Sequence, residues 1–347
     1  MNKKNAVLSF FITGLLSACS GTSNDPMSEQ QTEQNAPQTP RDPVIKTTAA
    51  GIETPSSTDN LFPTMEHVVK QDWQLISSLS DEFNASSINH SKWGTDIGDW
   101  GPWSWEPSNT KQADGKLKIT MQYAPHTTKR RASSGDRVDV DLFYTSGIAR
   151  TKGKLTYGYY EARIKGIHTF PAASPAFWTY SVGQGNDGMA EGTIKYSEVD
   201  VIEMQQGEWS NATKSYNGSD VLDMNLHTRV VENGKIIWKR PGKYPELTKN
   251  EVHVKFDPKD DFHIYGAEVT PETITWYLDG EQVAQKPNVY WHLPMHVTLS
   301  LGLRRPHVTY NNCPHGFDRC AVASEATAIG FPTTMEVDWV RVYKRKD

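Results

Sequence analysis

The segment 196–204 reads YSEVDVIEM and sets three acids into a run of β-branched residues. β-Branched residues favour extended backbone, so we predict a strand here. Side chains two positions apart point to the same face of a strand. Glu198 and Asp200 therefore share one face, and the valines beside them enter the core.

A regular strand would turn the third acid, Glu203, away from Glu198 because the two positions differ in parity. A β-bulge near 201–202 adds one residue and restores the common face. Bulges are frequent next to active sites, where they re-aim a side chain. We therefore predict a bulged strand that presents all three acids on one side.

Three like charges on one face disfavour each other's ionisation and raise the pKa of at least one carboxyl group. Glycoside hydrolysis uses such a set: one carboxylate attacks the anomeric carbon, and a protonated partner serves the leaving oxygen. A third acid between them can hydrogen-bond the nucleophile. The alternatives are an exposed acidic strand face and a calcium site.

Strand patterns recur through the rest of the chain. Segments 116–121, 252–256 and 335–340 alternate polar and apolar residues. Segment 274–283 reads ITWYLDGEQV, which indicates a hairpin with an Asp-Gly turn. Convincing amphipathic helices are absent from the sequence pattern. The pattern predicts an all-β fold, an antiparallel β-sandwich.

The first residues are basic, and the short apolar run 6–16 that follows has the length of a signal-peptide core. It ends in Leu16-Ser17-Ala18-Cys19, which resembles a bacterial lipobox, where the cysteine becomes acylated. We expect 1–18 to be a lipoprotein signal peptide and Cys19 the lipid-anchored residue; an ordinary secretory signal is the alternative. Ser20 resembles the pattern sorted to the outer membrane, so we expect an outer-membrane lipoprotein at the cell surface or in the periplasm.

Composition divides the remainder in two. Segment 19–65 is rich in Ser, Thr, Pro and Gln, which predicts a flexible linker. Segment 66–347 has no repeat or second break, so we expect one folded domain there. A formal net charge of −5 provides no basic field for a nucleic acid. Eleven tryptophans and fourteen tyrosines suit a surface that binds sugar rings.

Cys313 and Cys320 are the two cysteines left after Cys19. Disulfides persist in exported proteins, so we expect these two to pair and close one loop. A metal site with His315 is a weaker interpretation, because it would have only three ligands.

The chain resembles glycoside hydrolase family 16, and within it the kappa-carrageenase branch. Segment 198–203 fits the family signature Glu-x-Asp-x-x-Glu. Further matching blocks follow in the same order along the chain, at 157–166, 174–178, 290–292, 302–304, 306–307 and 331–338. Segments 127–141 and 309–328 match poorly, and such loops would shape the substrate cleft.

The resemblance implies a jelly-roll sandwich with a concave substrate cleft and no required cofactor. It implies endo-acting cleavage of β-1,4 linkages in a sulfated red-algal galactan, kappa-carrageenan or the hybrid furcellaran, with retained anomeric configuration. On this chain it makes Glu198 the nucleophile, Asp200 its assistant and Glu203 the acid/base. A monomer is expected.

Substrate contacts are predicted from chemistry and from the resemblance together. A sugar sulfate is an anion that a planar guanidinium binds through two hydrogen bonds, which favours Arg304 first and Arg240 second. Aromatic platforms and one hydrogen-bonding imidazole complete the predicted set, namely Trp100, Trp103, Trp178, Trp238 and His227. At least one of Trp103 and Trp105 is expected in the core instead, as is Trp339.

Two rival functions and one metal remain open. An agarase or porphyranase would use the same acids with fewer or differently placed cations. A non-catalytic carbohydrate-binding surface lipoprotein would keep the sandwich, but it would gain nothing from two cleft glutamates. A structural calcium ion could use Asp338 or Glu82, although no EF-hand spacing is present.

Overall fold

Strands make up most of the computed structural model, which describes residues 61–185, 187–207, 209–210, 212–213, 215–216 and 218–346. The predicted signal peptide, Cys19 and most of the linker lie outside the described residues. The described end of the linker is packed, because Leu61 and Met65 are buried against Trp73, Tyr159 and Tyr343. The domain boundary at residue 65 stays a prediction.

The strands, in chain order, are β1 (Trp73–Leu75), β2 (Trp93–Gly94), β3 (Ser104–Trp105), β4 (Thr110–Ala113), β5 (Lys116–Arg131), β6 (Arg137–Ser146), β7 (Ile148–Thr151), β8 (Gly158–Lys165), β9 (Ala173–Tyr180), β10 (Ile194–Glu203), β11 (Trp209–Ser210) and β12 (Ser215–Tyr216). They continue with β13 (Val221–Asp223), β14 (Leu226–Glu232), β15 (Lys235–Lys239), β16 (Glu251–His253), β17 (His263–Val269), β18 (Thr273–Leu278), β19 (Glu281–Pro287), β20 (His296–Leu303), β21 (Val308–Thr309), β22 (Cys320–Ala321) and β23 (Thr333–Arg345).

Helices are short in the described part of the chain. One α-helix, α1, spans Pro245–Thr248. The 3-10 turns are Lys70–Asp72, Pro107–Asn109, Pro314–Gly316 and Ala323–Glu325. None of the helices in the described ranges has the length and apolar character needed to cross a bilayer.

Two large sheets face each other, and nearly all of their pairings are antiparallel. The ten-stranded sheet runs β19-β18-β17-β8-β23-β5-β6-β3, with β1 on β23 and β4 on β5. The nine-stranded sheet runs β15-β14-β10-β9-β20-β7-β2, with β13 on β10 and β16 on β13. Two small hairpins, β11-β12 and β21-β22, complete the described strands. The predicted antiparallel β-sandwich is confirmed.

The predicted hairpin is β18-β19, and its turn residues Asp279 and Gly280 both have positive φ, at 49° and 90°. A two-residue turn of this kind matches the twist of the strands it joins. The predicted strand at 252–256 ends earlier, at His253. The Val254 amide still donates to the Asp220 carbonyl oxygen, one position further along the same register, and the regular pairing stops there.

The core lies between the two sheets and joins them in one hydrophobic cluster. Val199 of β10, Trp276 of β18 and Leu299 of β20 belong to it and are fully buried. Trp339 is also fully buried, as predicted. Packing of this kind fixes the backbone of β10 from behind, so the opposite face of that strand can present polar groups in fixed positions.

Candidate active site

The bulge predicted in the acidic strand is present in β10. Asp200 pairs with Trp178 in the register with β9, and the next paired residue is Ile202. Val201 between them is the extra residue, and both it and Ile202 are fully buried. The alternation then resumes in the opposite phase, and all three acids line the same cleft.

Hydrogen bonds from both sides fix the main chain at the bulge. Trp276 Nε1, on the ten-stranded sheet, donates to the Asp200 carbonyl oxygen at 2.9 Å. The Asp200 amide donates to the Asn225 carbonyl oxygen at 3.0 Å. Buried main-chain groups at a break in the ladder are costly when unpaired, so these two bonds hold the bulge in place.

His227 of β14 lies directly opposite Glu198. Its Nε2 is 3.3 Å from Asp200 Oδ2 and 3.6 Å from Glu198 Oε1. Its carbonyl oxygen accepts a hydrogen bond from Trp291 Nε1 at 3.0 Å. The Tyr196 hydroxyl donates to the other oxygen of Glu198. Glu198 is therefore held between a phenol and an imidazole, which supports the predicted place of His227 in the site.

Charge in this cluster is set by burial and by mutual contact. Burial raises the pKa of Asp200 well above its usual range, and the charge on Glu198 adds to the shift. Burial lowers the pKa of His227, but the negative charges of Glu198 and Asp200 outweigh it and raise that pKa to about 9. Asp200 and His227 therefore retain a proton between them at neutral pH. That proton lies on the pair that faces Glu198.

Glu203 is paired with a cation that follows β20. Arg304 Nη2 donates to Glu203 Oε1, and the two side chains are 21% and 18% exposed. The sequence predicts Arg304 as a sulfate ligand, and its contact with Glu203 was not foreseen. Arg304 therefore lies close enough to influence the acid as well as the substrate.

A fourth acid, Asp223, lies opposite Glu203 where β13 meets β10. Burial raises the pKa of Asp223 to about 7, and the charges of Glu203 and Glu251 contribute to the shift. No sequence pattern indicates this contact, because Asp223 belongs to a strand of only three residues.

The acids lie in a cleft of about 830 Å³ on the nine-stranded sheet. Trp100 and Trp178 line it, as predicted, and both are half-buried. Trp178 stacks on Tyr180 with ring centroids 4.5 Å apart, and Trp100 meets Trp178 edge-on at 6.5 Å. Indole faces in a cleft can stack on the carbon-hydrogen faces of sugar rings.

Trp103 corrects one prediction. It borders the cleft but is only 2% exposed, so it has no open face for a sugar ring. Its ring packs edge-on against Trp105, which is also buried, at 5.3 Å. The expectation that at least one of this pair belongs to the core is confirmed for both. Trp103 supports the cleft wall from behind.

Trp238 and Arg240 lie at the other side of the cleft, on and just after β15. Trp238 is half-buried, and the guanidinium of Arg240 lies over its ring at 5.0 Å. Arg229, which pairs with Trp238 in the sheet, lies over the same ring at 4.6 Å. The structure thus brings two guanidinium groups to one indole. Arg229 was missed, although it stands two residues after His227 and so shares its face.

Arg130 and Arg319 are among the cleft arginines that were not predicted. Arg130 lies in β5 and pairs with Asp99 at 2.6 Å. Arg319 precedes β22 and lies over the Trp103 ring at 5.3 Å. Both lie in the two segments that match the family poorly, so the resemblance did not indicate them. The position of Arg319 beside Cys320 was the available signal.

The disulfide expected between Cys313 and Cys320 is present, with their Cα atoms 5.6 Å apart. It closes the loop between β21 and β22, and Cys320 borders the cleft.

The two acids suggested for calcium both face guanidinium groups. Asp338 Oδ2 accepts from Arg163 at 2.8 Å, and Glu82 accepts two hydrogen bonds of 2.9 Å from Arg341. A cation already compensates each carboxylate, which disfavours a metal ion there. Among the described residues, the ligand atoms close enough to share an ion belong to Glu198, Asp200 and His227. Calcium binding stays a prediction.

Residues 73–345 match the family model described as beta-porphyranase A-D, GH16 domain. The chain is 42% identical over 273 residues to the kappa-carrageenase of Pseudoalteromonas carrageenovora, a match that covers 78% of this chain and 64% of that protein. It is 24% identical over 281 residues to beta-porphyranase B of Zobellia galactanivorans, covering 80% and 86%.

The crystal structure of the Pseudoalteromonas carrageenovora kappa-carrageenase, in complex with an oligotetrasaccharide of kappa-carrageenan, matches with a TM-score of 0.71 at 41% identity. That match covers 79% of this chain and 96% of the crystallised one. The family model carries a porphyranase name, yet the carrageenase is much the nearer of the two relatives in sequence. By the extent of the family match and this identity, the chain belongs to glycoside hydrolase family 16.

Proposed function

We propose that this chain is an endo-acting, retaining glycoside hydrolase that cleaves β-1,4 linkages of a sulfated red-algal galactan, kappa-carrageenan or furcellaran. One observation carries the proposal: the bulge in β10 sets Glu198, Asp200 and Glu203 along one cleft. The 42% identity to a kappa-carrageenase supports the choice of substrate class.

In the first step Glu198 attacks the anomeric carbon while Glu203 gives its proton to the leaving oxygen. The glycosyl–Glu198 ester forms as the glycosidic bond breaks. In the second step the ionised Glu203 takes a proton from a water molecule. The oxygen of that water attacks the anomeric carbon, the ester bond to Glu198 breaks, and the starting configuration is restored. Two inversions at one carbon give net retention.

The proton held between Asp200 and His227 supports this division of roles. His227 Nε2 is 3.6 Å from Glu198 Oε1, so the protonated pair faces an oxygen of the nucleophile. When Glu198 leaves as an anion in the second step, the same proton and the Tyr196 hydroxyl stabilise the departing charge.

Sulfate recognition is assigned to guanidinium groups because a fork of two donors matches a sulfate edge. Arg240 is exposed and borders the cleft, which supports its assignment. Arg304 keeps its predicted role alongside its contact with Glu203. Trp100, Trp178 and Trp238 are proposed as the sugar platforms.

The direct test incubates the purified chain with agarose, porphyran, kappa-carrageenan and furcellaran and identifies the released oligosaccharides by mass spectrometry. Glu198→Gln should abolish release, and Glu272→Gln, an exposed glutamate outside the cleft, should leave it unchanged. Release from kappa-carrageenan or furcellaran supports the proposal. Release from porphyran or agarose alone establishes the rival hydrolases, and binding without release establishes a carbohydrate-binding lipoprotein.

We also propose that Cys19 carries a lipid anchor that holds a monomer at the outer membrane, facing the periplasm or the surface. The proposal rests on the lipobox-like segment 16–19. Mass spectrometry of the mature amino terminus should find acylated Cys19, and Cys19→Ser should release the chain from membranes. Light scattering of the released chain tests the monomer.

A further inference from the structure

Arg319 is held at the cleft by three constraints. It immediately precedes Cys320, which is both paired with Thr309 in the β21-β22 hairpin and bonded to Cys313. Its guanidinium lies over the ring of Trp103, itself fixed in the core. A long side chain anchored at both ends loses little further freedom when it binds a ligand.

The guanidinium of Arg319 differs from those of Arg130 and Arg304 in having no carboxylate in direct contact. Arg130 pairs with Asp99, and Arg304 pairs with Glu203. Within the described ranges, Arg319 makes no hydrogen bond and has no carboxylate within 4.0 Å. Burial lowers the pKa of Arg319, as does the positive charge of Arg304, whereas the charges of Glu198 and Glu203 act to raise it. A guanidinium stays protonated regardless, so Arg319 presents a positive charge that no carboxylate among the described residues contacts directly.

The surroundings of that charge fit an anionic ligand. Arg319 and Arg304 both border the cleft, and Glu203, the nearest acid to Arg304, is already engaged by it. The Trp103 ring covers one face of the Arg319 guanidinium and leaves its edge for hydrogen bonding. A sulfate ester presents the oxygens that such an edge binds in pairs.

We propose that Arg319 is a specificity-determining residue that receives a sulfate group of the galactan on the Glu203 side of the cleft. This inference rests on the proposed hydrolase function and deepens it. Arg240 and Trp238 lie across His227 on the other side of β10, so the cleft then holds anions on both sides of the catalytic strand. A polysaccharide with sulfates on successive repeats can occupy both sites, and a neutral polysaccharide can occupy neither.

The test measures kcat/KM on kappa-carrageenan and on the same polymer after chemical desulfation. Arg319→Gln should reduce kcat/KM on the sulfated polymer by roughly ten- to a hundredfold, the range for one charged hydrogen-bonding partner. On the desulfated polymer it should change kcat/KM by less than about twofold. Arg319→Lys keeps the charge but loses the paired donors of the guanidinium, so its kcat/KM on the sulfated polymer should lie between those of the wild type and Arg319→Gln. Arg137→Gln, on an exposed arginine outside the cleft, is the matched control.

The outcomes separate the two proposals. If the wild type cleaves no galactan at all, the proposed function fails. If the wild type cleaves and Arg319→Gln keeps the wild-type ratio of sulfated to desulfated kcat/KM, only the Arg319 inference fails. If Arg319→Gln does not fold, Arg319→Lys decides: an unchanged ratio overturns the inference, and a lowered ratio supports it.

Discussion

Trp276 donates its indole hydrogen to the carbonyl oxygen of Asp200 at 2.9 Å, so the ten-stranded sheet holds the bulge of the opposite sheet across the core. Trp276→Phe keeps most of the ring and removes the donor. We expect it to destabilise the fold by about 1–3 kcal/mol, because a buried carbonyl loses its partner. It should also lower kcat more than it changes KM, because the acids lose their alignment. Denaturant unfolding and steady-state kinetics measure the two effects.

Trp339→Phe provides the matched control. Trp339 is also fully buried, but its indole nitrogen makes no hydrogen bond to any described residue. The Trp339→Phe variant should have a lower free energy of unfolding, because packing is lost, and an unchanged kcat. Equal losses of kcat in the two variants would mean that the bond to Asp200 does not position the site.

Arg304 contacts Glu203 directly, which distinguishes it from the other cleft arginines. Arg304→Gln should therefore reduce kcat on desulfated galactan by roughly tenfold or more, since the ionised Glu203 formed by proton transfer loses a charged hydrogen bond, and at least as much on the sulfated polymer. Arg240→Gln should affect the sulfated polymer alone. Normal cleavage of desulfated polymer by Arg304→Gln would show that Arg304 serves only as a sulfate ligand.

His227 links stability to pH. Its pKa rises from 6.5 to about 9 in the folded chain because of Glu198 and Asp200, so the folded state binds the proton more tightly. That stabilisation is complete below about pH 6.5 and is lost as pH rises through about 9. His227→Gln should therefore be most destabilising near pH 6, and the difference should shrink by up to about 3 kcal/mol near pH 9.5. Unfolding curves of both chains across this range provide the measurement, and a pH-independent difference would contradict the account.

Glu161 has the opposite effect, on the ten-stranded sheet. Its side chain is fully buried and accepts from Thr64, and burial raises its pKa from 4.5 to about 7. Below about pH 4.5 the carboxyl group is protonated in both the folded and the unfolded chain, so it does not lower the free energy of unfolding. Above about pH 7 it is ionised in both, and its burial then destabilises the fold by the full amount. Glu161→Gln should therefore gain about 3 kcal/mol relative to the wild type between pH 4.5 and pH 8. Parallel stability curves would contradict the assigned shift.

The acidic strand was predictable because its pattern is local. Glu198 and Asp200 occupy even positions of the strand and Glu203 an odd one, with apolar residues between them. A bulge is the simplest backbone that brings all three acids to one face and buries the apolar residues. Such a pattern requires no knowledge of distant segments. The Asp279-Gly280 turn was predictable for the same reason.

The contacts of the arginines were not predictable, because they depend on residues far apart in the chain. Arg304 meets Glu203 across 101 positions. Arg319 meets Trp103 only because a hairpin and a disulfide close beside the cleft. Residue type predicts Trp103 as a sugar platform, because an indole face can stack on a sugar ring, yet Trp103 packs against Trp105 and is buried. Tertiary packing, rather than residue type, decides such positions.

The stereochemistry of the first product tests the central claim most directly. Proton NMR during early hydrolysis of kappa-carrageenan, before mutarotation, observes the anomeric form of the new reducing end. Attack by Glu198 followed by water gives two inversions, so the account predicts the β-anomer first. Appearance of the α-anomer first would show that water attacks directly, and would contradict the role of Glu198 as nucleophile.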